Sequence, residues 1–430
     1  MMNLGVASGV TPLGVASPRG LRVRVVTGAV AAIVLASFAN AVTVTGALVA
    51  DDAGATPKLY HAGLALAGGL LALRGRIVRP RTELLVYFAV TVAATLLAYL
   101  VLEPRVAGVK LLVALAVALV GTELGRVADR ASVLRACRIA SIAFLVLVTV
   151  KNVQHVPAFI AYLANPFGHP EVPTLAGGGL NLEATWLALS STFLIGTVLF
   201  VPFAVAAAAT SALYASRAGL VVVGLAACTA IVHAWSGWRL SRAQSRSASP
   251  EQPRVHASRS RRMLRRALLV LTAGGAMIAL GVAIITVRQF GDPAYVAQRF
   301  SAIGEEPGSM GRLTLWRGGM RVFAEFPLGV GLGNAVPMLR RTLGVDVPED
   351  NLHNIYLQHA VETGVPGLLA LLIFGTMAAR RLVASRFRDH LLVFVCGYLV
   401  AGVIQFTGVD AIFWLIYGLQ TGVSRGDANV

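Results

Sequence analysis

Glu83 to Leu102 reads ELLVYFAVTVAATLLAYLVL, and its only charge is the first residue. As a helix rising 1.5 Å per residue, a run of this length covers roughly 30 Å, the thickness of a bilayer's hydrocarbon core. It has no strict polar/apolar alternation of the kind a membrane barrel strand shows. Comparable apolar runs recur near 22–50, 59–74, 106–123, 138–151, 216–235, 267–287, 355–378, 390–408 and 411–421. The chain of 430 residues is 56% hydrophobic and only 13% charged, about half the charged fraction of a soluble domain. Mean hydropathy is +0.73. The expected fold is all-α: a polytopic integral membrane helical bundle of about 12 transmembrane helices.

Charge sets the orientation. The net charge is +17, and the arginines cluster in short connections: Arg74–Arg81 (RGRIVRPR), Arg126–Arg138 and Arg380–Arg388. Positive loops stay on the cytosolic side, and anionic headgroups satisfy them. Without aromatic interleaving or a soluble module, this charge implies no nucleic-acid partner. Arg239–Arg266 holds nine Arg and one Glu among Ser, Pro and Gln, so it reads as a disordered cytosolic linker. Both termini fall in the cytosol.

Parity then requires an even number of crossings between Lys151 and Ser216. The apolar stretch 184–215 is read as a tight hairpin bent near Pro202, where proline removes a backbone donor. Ala39-Asn40-Ala41 imitates a signal-peptidase site, but the run continues to about Ala50, so it reads as a retained first helix. Cys137, Cys228 and Cys396 lie in apolar segments without metal or disulfide spacing. The organisation is 1–151 as N-terminal helices, 152–238 as a second group, 239–266 as the linker, and 267–430 as C-terminal helices with the outer loop 288–352.

That outer loop carries the chemistry-bearing residues. Arg312 to Phe326 (RLTLWRGGMRVFAEF) places Leu313, Trp316, Met320 and Phe323 on one helical face. Pro327 ends it, and Gly329, Gly331 and Gly333 follow. Such glycines allow close backbone approach or simply form a turn. They do not match a nucleotide loop, because no strand precedes them. His353 and Asn354 open the next helix. Asn351 or Asn354 suits a cap, with His353 interfacial; a functional histidine is the other reading. Arg217 begins a helix at the same outer depth, where an unpaired charge costs free energy unless it lines a wet cavity or meets a partner. It either snorkels or, with Arg312, binds an anion. Guanidinium forks suit phosphate oxygens, so a diphosphate fits.

Taken in order, these residues resemble the O-antigen ligase and polymerase superfamily of bacterial membrane glycan transferases. Asn181-Leu182-Glu183-Ala184 resembles its N-x-x-A segment, and Ser216-Arg217-Ala218-Gly219 its SR-x-small helix start. Arg312 with Trp316, followed by Pro327-Leu328-Gly329-Val330-Gly331, resembles its R-x-x-x-W…P-x-G-x-G loop. His353-Asn354-Ile355-Tyr356-Leu357, with Glu362, Gly364 and Gly367, resembles its HN-x-Y-L…E-x-G-x-x-G segment. The likeness covers about residues 175–410. It departs at Gly177-Gly178-Gly179-Leu180-Asn181, where the family often carries an Arg and N-P-N.

The resemblance implies transfer of a polyprenyl-diphosphate-linked glycan on the outer face of the bacterial cytoplasmic membrane. The acceptor is a lipid or a second lipid-linked glycan, so ligase and polymerase both stay open. Arg217 and Arg312 would neutralise the leaving diphosphate, and His353 would take the acceptor's proton. Trp316, Asn354, Tyr356, Gly329, Gly331 and Asn181 would support the site. No cofactor or metal is expected, since no ligand cluster has usable spacing. Membrane lipids are the other partners. Two alternatives compete. A metal-dependent polyprenol-sugar transferase would need a large acidic first outer loop, and Asp51-Asp52 is too short for one. A flippase would show repeated halves and broken helices at mid-depth, whereas the polar residues here cluster on one side.

Overall fold

The computed structural model describes residues 18–44, 58–72, 80–100, 102, 107–159, 172–214, 216–247, 307–344, 351–406 and 408–426. The helices are α1 (Pro18–Phe38), α2 (Leu59–Ala72), α3 (Thr82–Tyr99), α4 (Ala107–Val127), α5 (Arg130–Gln154), α6 (Leu180–Ser190), α7 (Phe200–Leu213), α8 (Arg217–Ser247), α9 (Pro307–Glu325), α10 (Ala335–Leu343), α11 (Ile355–Ala384), α12 (His390–Ala401) and α13 (Ala411–Gly426). A single 3-10 turn, Ser191–Leu194, extends α6. Among the described residues the only strand-like pairing is an isolated bridge between Thr43 and Lys58. The protein is an all-α integral membrane bundle.

Among the described residues, four helices are long and apolar enough to cross a membrane: Thr82–Tyr99, Arg130–Gln154, Arg217–Ser236 and Ile355–Ala384. Shorter apolar helices, including Phe200–Leu213 and His390–Ala401, complete the bundle. The helix expected at 267–287 lies outside the described residues. α1 stops at Phe38, because Ala39–Ala41 turns out of the helix and Ala41 N donates to Leu175 O at 2.8 Å. The helix entering the basic segment continues to Ser247, so the first residues of the expected linker are helical.

The 184–215 hairpin exists, but its bend lies at Ile195–Leu199 rather than at Pro202. Gly196 adopts φ +77 there. Pro202 sits in the first turn of α7, where an N–H has no intrahelical acceptor and proline costs nothing.

Helix ends are fixed locally. Asp129 caps α5 by accepting from Ser132 N at 2.8 Å and Ser132 Oγ at 2.7 Å. Asp389 caps α12. The core is aromatic: Trp186 stacks on Phe394 and Tyr398, and Tyr398 stacks on Phe406 and Phe413. Among the described helices, α4 and α13 pack with their backbones in contact. Gly121 and Gly125 face Gly418 and Gly422, so each backbone lies directly against the other. A Cβ on Gly121 would stand 2.7 Å from Leu415 O, and one on Gly422 2.6 Å from Arg126 N. In lipid, small residues at this spacing let helix backbones pack without a hydrophobic driving force.

Helix directions settle which groups share an end. Ile355 N donates to Gly402 O at 2.7 Å, so the start of α11 meets the end of α12. His233, far along α8, packs its ring 5.4 Å from that of His390 at the start of α12. α8 and α12 are therefore antiparallel, and Arg217 lies at the same end of the bundle as His353. At the opposite end Arg130 pairs with Asp389 at 3.3 Å, and Arg381 pairs with Glu83. This polarity agrees with arginine-rich loops on one side. In a background with the native cysteines replaced, Ser309→Cys should react with a membrane-impermeant thiol reagent in intact cells. Ser245→Cys should react only after permeabilisation. The reverse pattern would invert the protein.

Candidate functional site

The segment around His353 is held from three directions. Asn354 caps α11, its Oδ1 accepting from Tyr356 N and Leu357 N at 3.0 Å each. Asn351 Oδ1 accepts from His353 N at 2.8 Å. His353 itself is half-buried at φ +50, a left-handed conformation uncommon outside glycine. Leu352, just before it, accepts from Trp316 Nε1 at 2.9 Å, and its own N–H donates to Gln358 Oε1 at 2.9 Å. Gln358 Nε2 continues to Glu362 Oε1 at 2.6 Å, which also accepts from Gly333 N at 2.9 Å. The indole of α9, the cap of α11 and the glycine loop thus form one hydrogen-bonded chain.

The glycines pair with a broken helix. α11 is interrupted at Gly364, φ 65 and ψ −166, two residues before Pro366. A broken helix leaves backbone groups that lipid cannot satisfy, so protein must supply partners. Here loop 327–333 supplies them. Val330 N donates to Val361 O at 2.9 Å, Gly331 N to Glu362 O at 2.8 Å, and Val365 N to Pro327 O at 2.9 Å. A Cβ on Gly329 would meet Glu362 O at 2.6 Å, and one on Gly331 would meet the Tyr99 ring at 2.7 Å. These glycines serve both purposes: Gly329, Gly331 and Gly333 all turn the chain at positive φ, and Gly329 also lets the loop backbone lie against that of α11.

The apolar face of α9 differs from the expected one. Leu315, Gly318, Gly319 and Val322 are buried, Trp316 and Phe323 border them, and Leu313 and Met320 are exposed. The two glycines let α10 and α11 approach: a Cβ on Gly318 would press Leu343 and Leu339, and one on Gly319 would press Leu352 and Leu357. Arg312 lies one turn before Trp316 on this helix.

The Arg217 segment is built separately. Ser216 is buried, donates from Oγ to Asn181 O at 3.2 Å, and accepts from Gly219 N at 3.2 Å. Gly219 leaves room for Ser211. The N-x-x-A and SR segments therefore meet, with the Asn181 side chain exposed and Ala184 buried. Beside them lies a network the sequence reading misses. Lys151, buried at the end of α5, pairs with Glu183 and donates to Tyr214 Oη at 2.9 Å. Tyr214 Oη reaches Glu183 Oε1 at 2.8 Å, and Glu183 Oε2 accepts from Leu175 N at 2.6 Å. Removing one partner of such a buried pair costs roughly 3–5 kcal/mol. Only the residue types hinted at it, because the three lie on segments far apart in the sequence: α5, α6 and the residue that follows α7.

Arg217, Arg312 and His353 all sit at one end of the bundle, and Trp316 ties the Arg312 helix directly to the His353 segment. α12 packs against both α8 and α11, linking the Arg217 helix to the same frame. Tyr356 points into that packing, its hydroxyl donating to Leu399 O at 2.8 Å. Another histidine of α11, His359, is buried with both ring nitrogens engaged, one by Tyr87 Oη and one by Ile355 O. His353, just before α11, is more exposed than His359 within it.

No curated protein matches the sequence. Residues 202–372 match the model of a family described as O-antigen ligase. That span begins in α7, contains the SR, R-x-x-x-W, glycine and HN segments, and ends within α11. Members of the family transfer glycans as ligases or polymerases. Residues 202–372 of this integral membrane protein are thus similar to the O-antigen ligase superfamily.

Proposed function

We propose that the protein transfers a polyprenyl-diphosphate-linked glycan to a glycan or lipid acceptor on the outer face of the bacterial cytoplasmic membrane. The acceptor hydroxyl attacks the anomeric carbon. His353 takes its proton, the bond to the diphosphate breaks, and the departing charge is met by Arg217 and Arg312. The route is metal-independent, because the two guanidiniums supply the neutralising charge. The observation that carries this reading is the Trp316–Leu352 hydrogen bond, which mounts an anion-binding helix on the backbone next to the proposed base.

The arginine roles are tested by substitution to lysine, which keeps the charge and loses the planar fork. Arg217→Lys and Arg312→Lys should each lose about 10- to 100-fold in turnover, equivalent to one charge-assisted hydrogen bond of roughly 1.5–3 kcal/mol. Arg246→Lys, in the basic segment at the other end, should leave turnover unchanged. Release of polyprenyl diphosphate from purified protein with a lipid-diphosphate glycan is the readout. Equal activity in all three variants would mean that these arginines only anchor their helices.

A further inference from the structure

At the end of the bundle opposite His353, a buried imidazole and a half-buried one sit among cations. His390 is 7% exposed, and neither of its ring nitrogens has a protein partner among the described residues. The His233 ring meets it edge-on, and its Nδ1 is likewise buried and unpartnered. Arg138 reaches the same corner, where its Nε donates to Phe193 O at 2.9 Å. Its charge and that of Arg130 act on His390, and the charge of Arg388 acts on His233. Gly196, the hairpin glycine, lies so close that a Cβ there would stand 3.1 Å from His233 Nε2. Asp389 is the acidic group at this corner. Its carboxylate is engaged by Leu392 N at 3.4 Å, Gln420 Nε2 at 3.3 Å and Arg130 at 3.3 Å. Arg130 is paired with Asp389 and follows Asp129, which caps α5, and the guanidiniums of Arg138 and Arg388 leave a surplus of positive charge and of N–H donors around His390 and His233. That surplus repels a metal cation and attracts an anion.

The surroundings fix the depth. Trp235 and Trp238 follow His233 on α8 and are 52% and 40% exposed. Indole rings collect at the headgroup level of a bilayer. Ile139 and Ile142, next to Arg138 on α5, are exposed apolar side chains that belong among acyl chains. The corner thus lies where phospholipid phosphates lie, and basic pockets between helices on the arginine-rich side are suited to anionic headgroups.

We propose that His390 and Arg138, walled by His233, form a binding site for the phosphate of an anionic phospholipid in the arginine-rich leaflet. The His390 imidazole donates to a phosphate oxygen and the guanidinium neutralises the charge, while an acyl chain runs along the Ile139 and Ile142 side of α5. The site is independent of the glycan-transfer reading.

Full-length protein is reconstituted in nanodiscs of equal phosphatidylglycerol and phosphatidylcholine, extracted into mild detergent, and weighed intact with its bound lipid. Wild type should retain phosphatidylglycerol over phosphatidylcholine by at least about tenfold. Arg138→Gln/His390→Gln should bring the two lipids to parity, and millimolar inorganic phosphate should not displace the bound lipid. Arg388→Gln, in an exposed connection, should weaken the preference without altering the melting temperature, so the result does not depend on a buried variant folding. Equal retention of both lipids by wild type would overturn the proposal. So would an undiminished preference in Arg388→Gln, or displacement by free phosphate, which would mark a site for a soluble anion.

Discussion

His353→Gln should lower glycan transfer by at least about a hundredfold, the usual scale for loss of a general base. The substitution isolates proton transfer from structure. Glutamine keeps similar bulk and hydrogen-bonding capacity but does not accept a proton at neutral pH. The left-handed backbone at His353 costs a glutamine about what it costs a histidine, since both carry an unbranched Cβ. Three bonds that fix the segment run through its main chain and neighbours: Asn351 to His353 N, Trp316 to Leu352 O, and Asn354 to the first turn of α11. None requires the imidazole. The variant should therefore reach the membrane at normal levels, melt like the wild type and still bind a lipid-diphosphate donor. Near-wild-type turnover would remove the base from the mechanism and leave the arginines as its only catalytic groups.

The second large effect concerns folding. Gly422→Leu should abolish the native packing of α13 on α4. A Cβ at that position would stand 2.6 Å from Arg126 N and 2.8 Å from Gly125 C, and closer still to Thr122 O. These are backbone atoms of a neighbouring helix, so no side chain can rotate away, and the helices must separate. Overpacking of this kind costs roughly 3 kcal/mol or more, and separation also strips contacts from the aromatic core around Trp414 and Tyr417. Gly224→Leu is the matched control, because a Cβ there meets nothing within 4 Å. Thermal unfolding of the purified proteins in detergent separates the two. Gly422→Leu should aggregate or melt far below wild type, and Gly224→Leu should melt with it. Equal melting of the two variants would show that the seam is not tight.

Hydropathy was enough to read the bundle, since each apolar run near 20 residues must bury its backbone polar groups within itself. Asn354 as the cap of α11 was legible for a similar reason: capping is local chemistry. What the sequence hid was contact between distant segments. Proline marks the 184–215 hairpin in the sequence, yet Gly196 turns it, because a proline in a first helical turn is silent. The α4–α13 seam needs two glycine pairs nearly 300 residues apart to be matched, and neither pair is unusual alone. Gly329 and Gly364 are conspicuous residues whose partners are each other's segments. Lys151, Glu183 and Tyr214 look like three unrelated polar residues until the hairpin folds. The apolar stripe of α9 was misjudged for a related reason: side-chain size suggested Leu313 and Met320, whereas the glycine face admits the closest neighbours. Arg217, Arg312 and His353 stood out because charge at a membrane boundary is costly, and the fold sets all three at one end.

Gly364 is where the shaft of α11 stops carrying load upward. Below it, residues 366–384 continue as a helix; at the break itself Val361 O, Glu362 O and Val365 N turn sideways to Val330, Gly331 and Pro327, while Ile355 N is tied to Gly402 O at the end of α12. Trp316 and Gln358 extend the same set of bonds to α9 and to the backbone at Leu352, so the bonds that close the break in α11 also hold the helix of Arg312 beside the segment of His353.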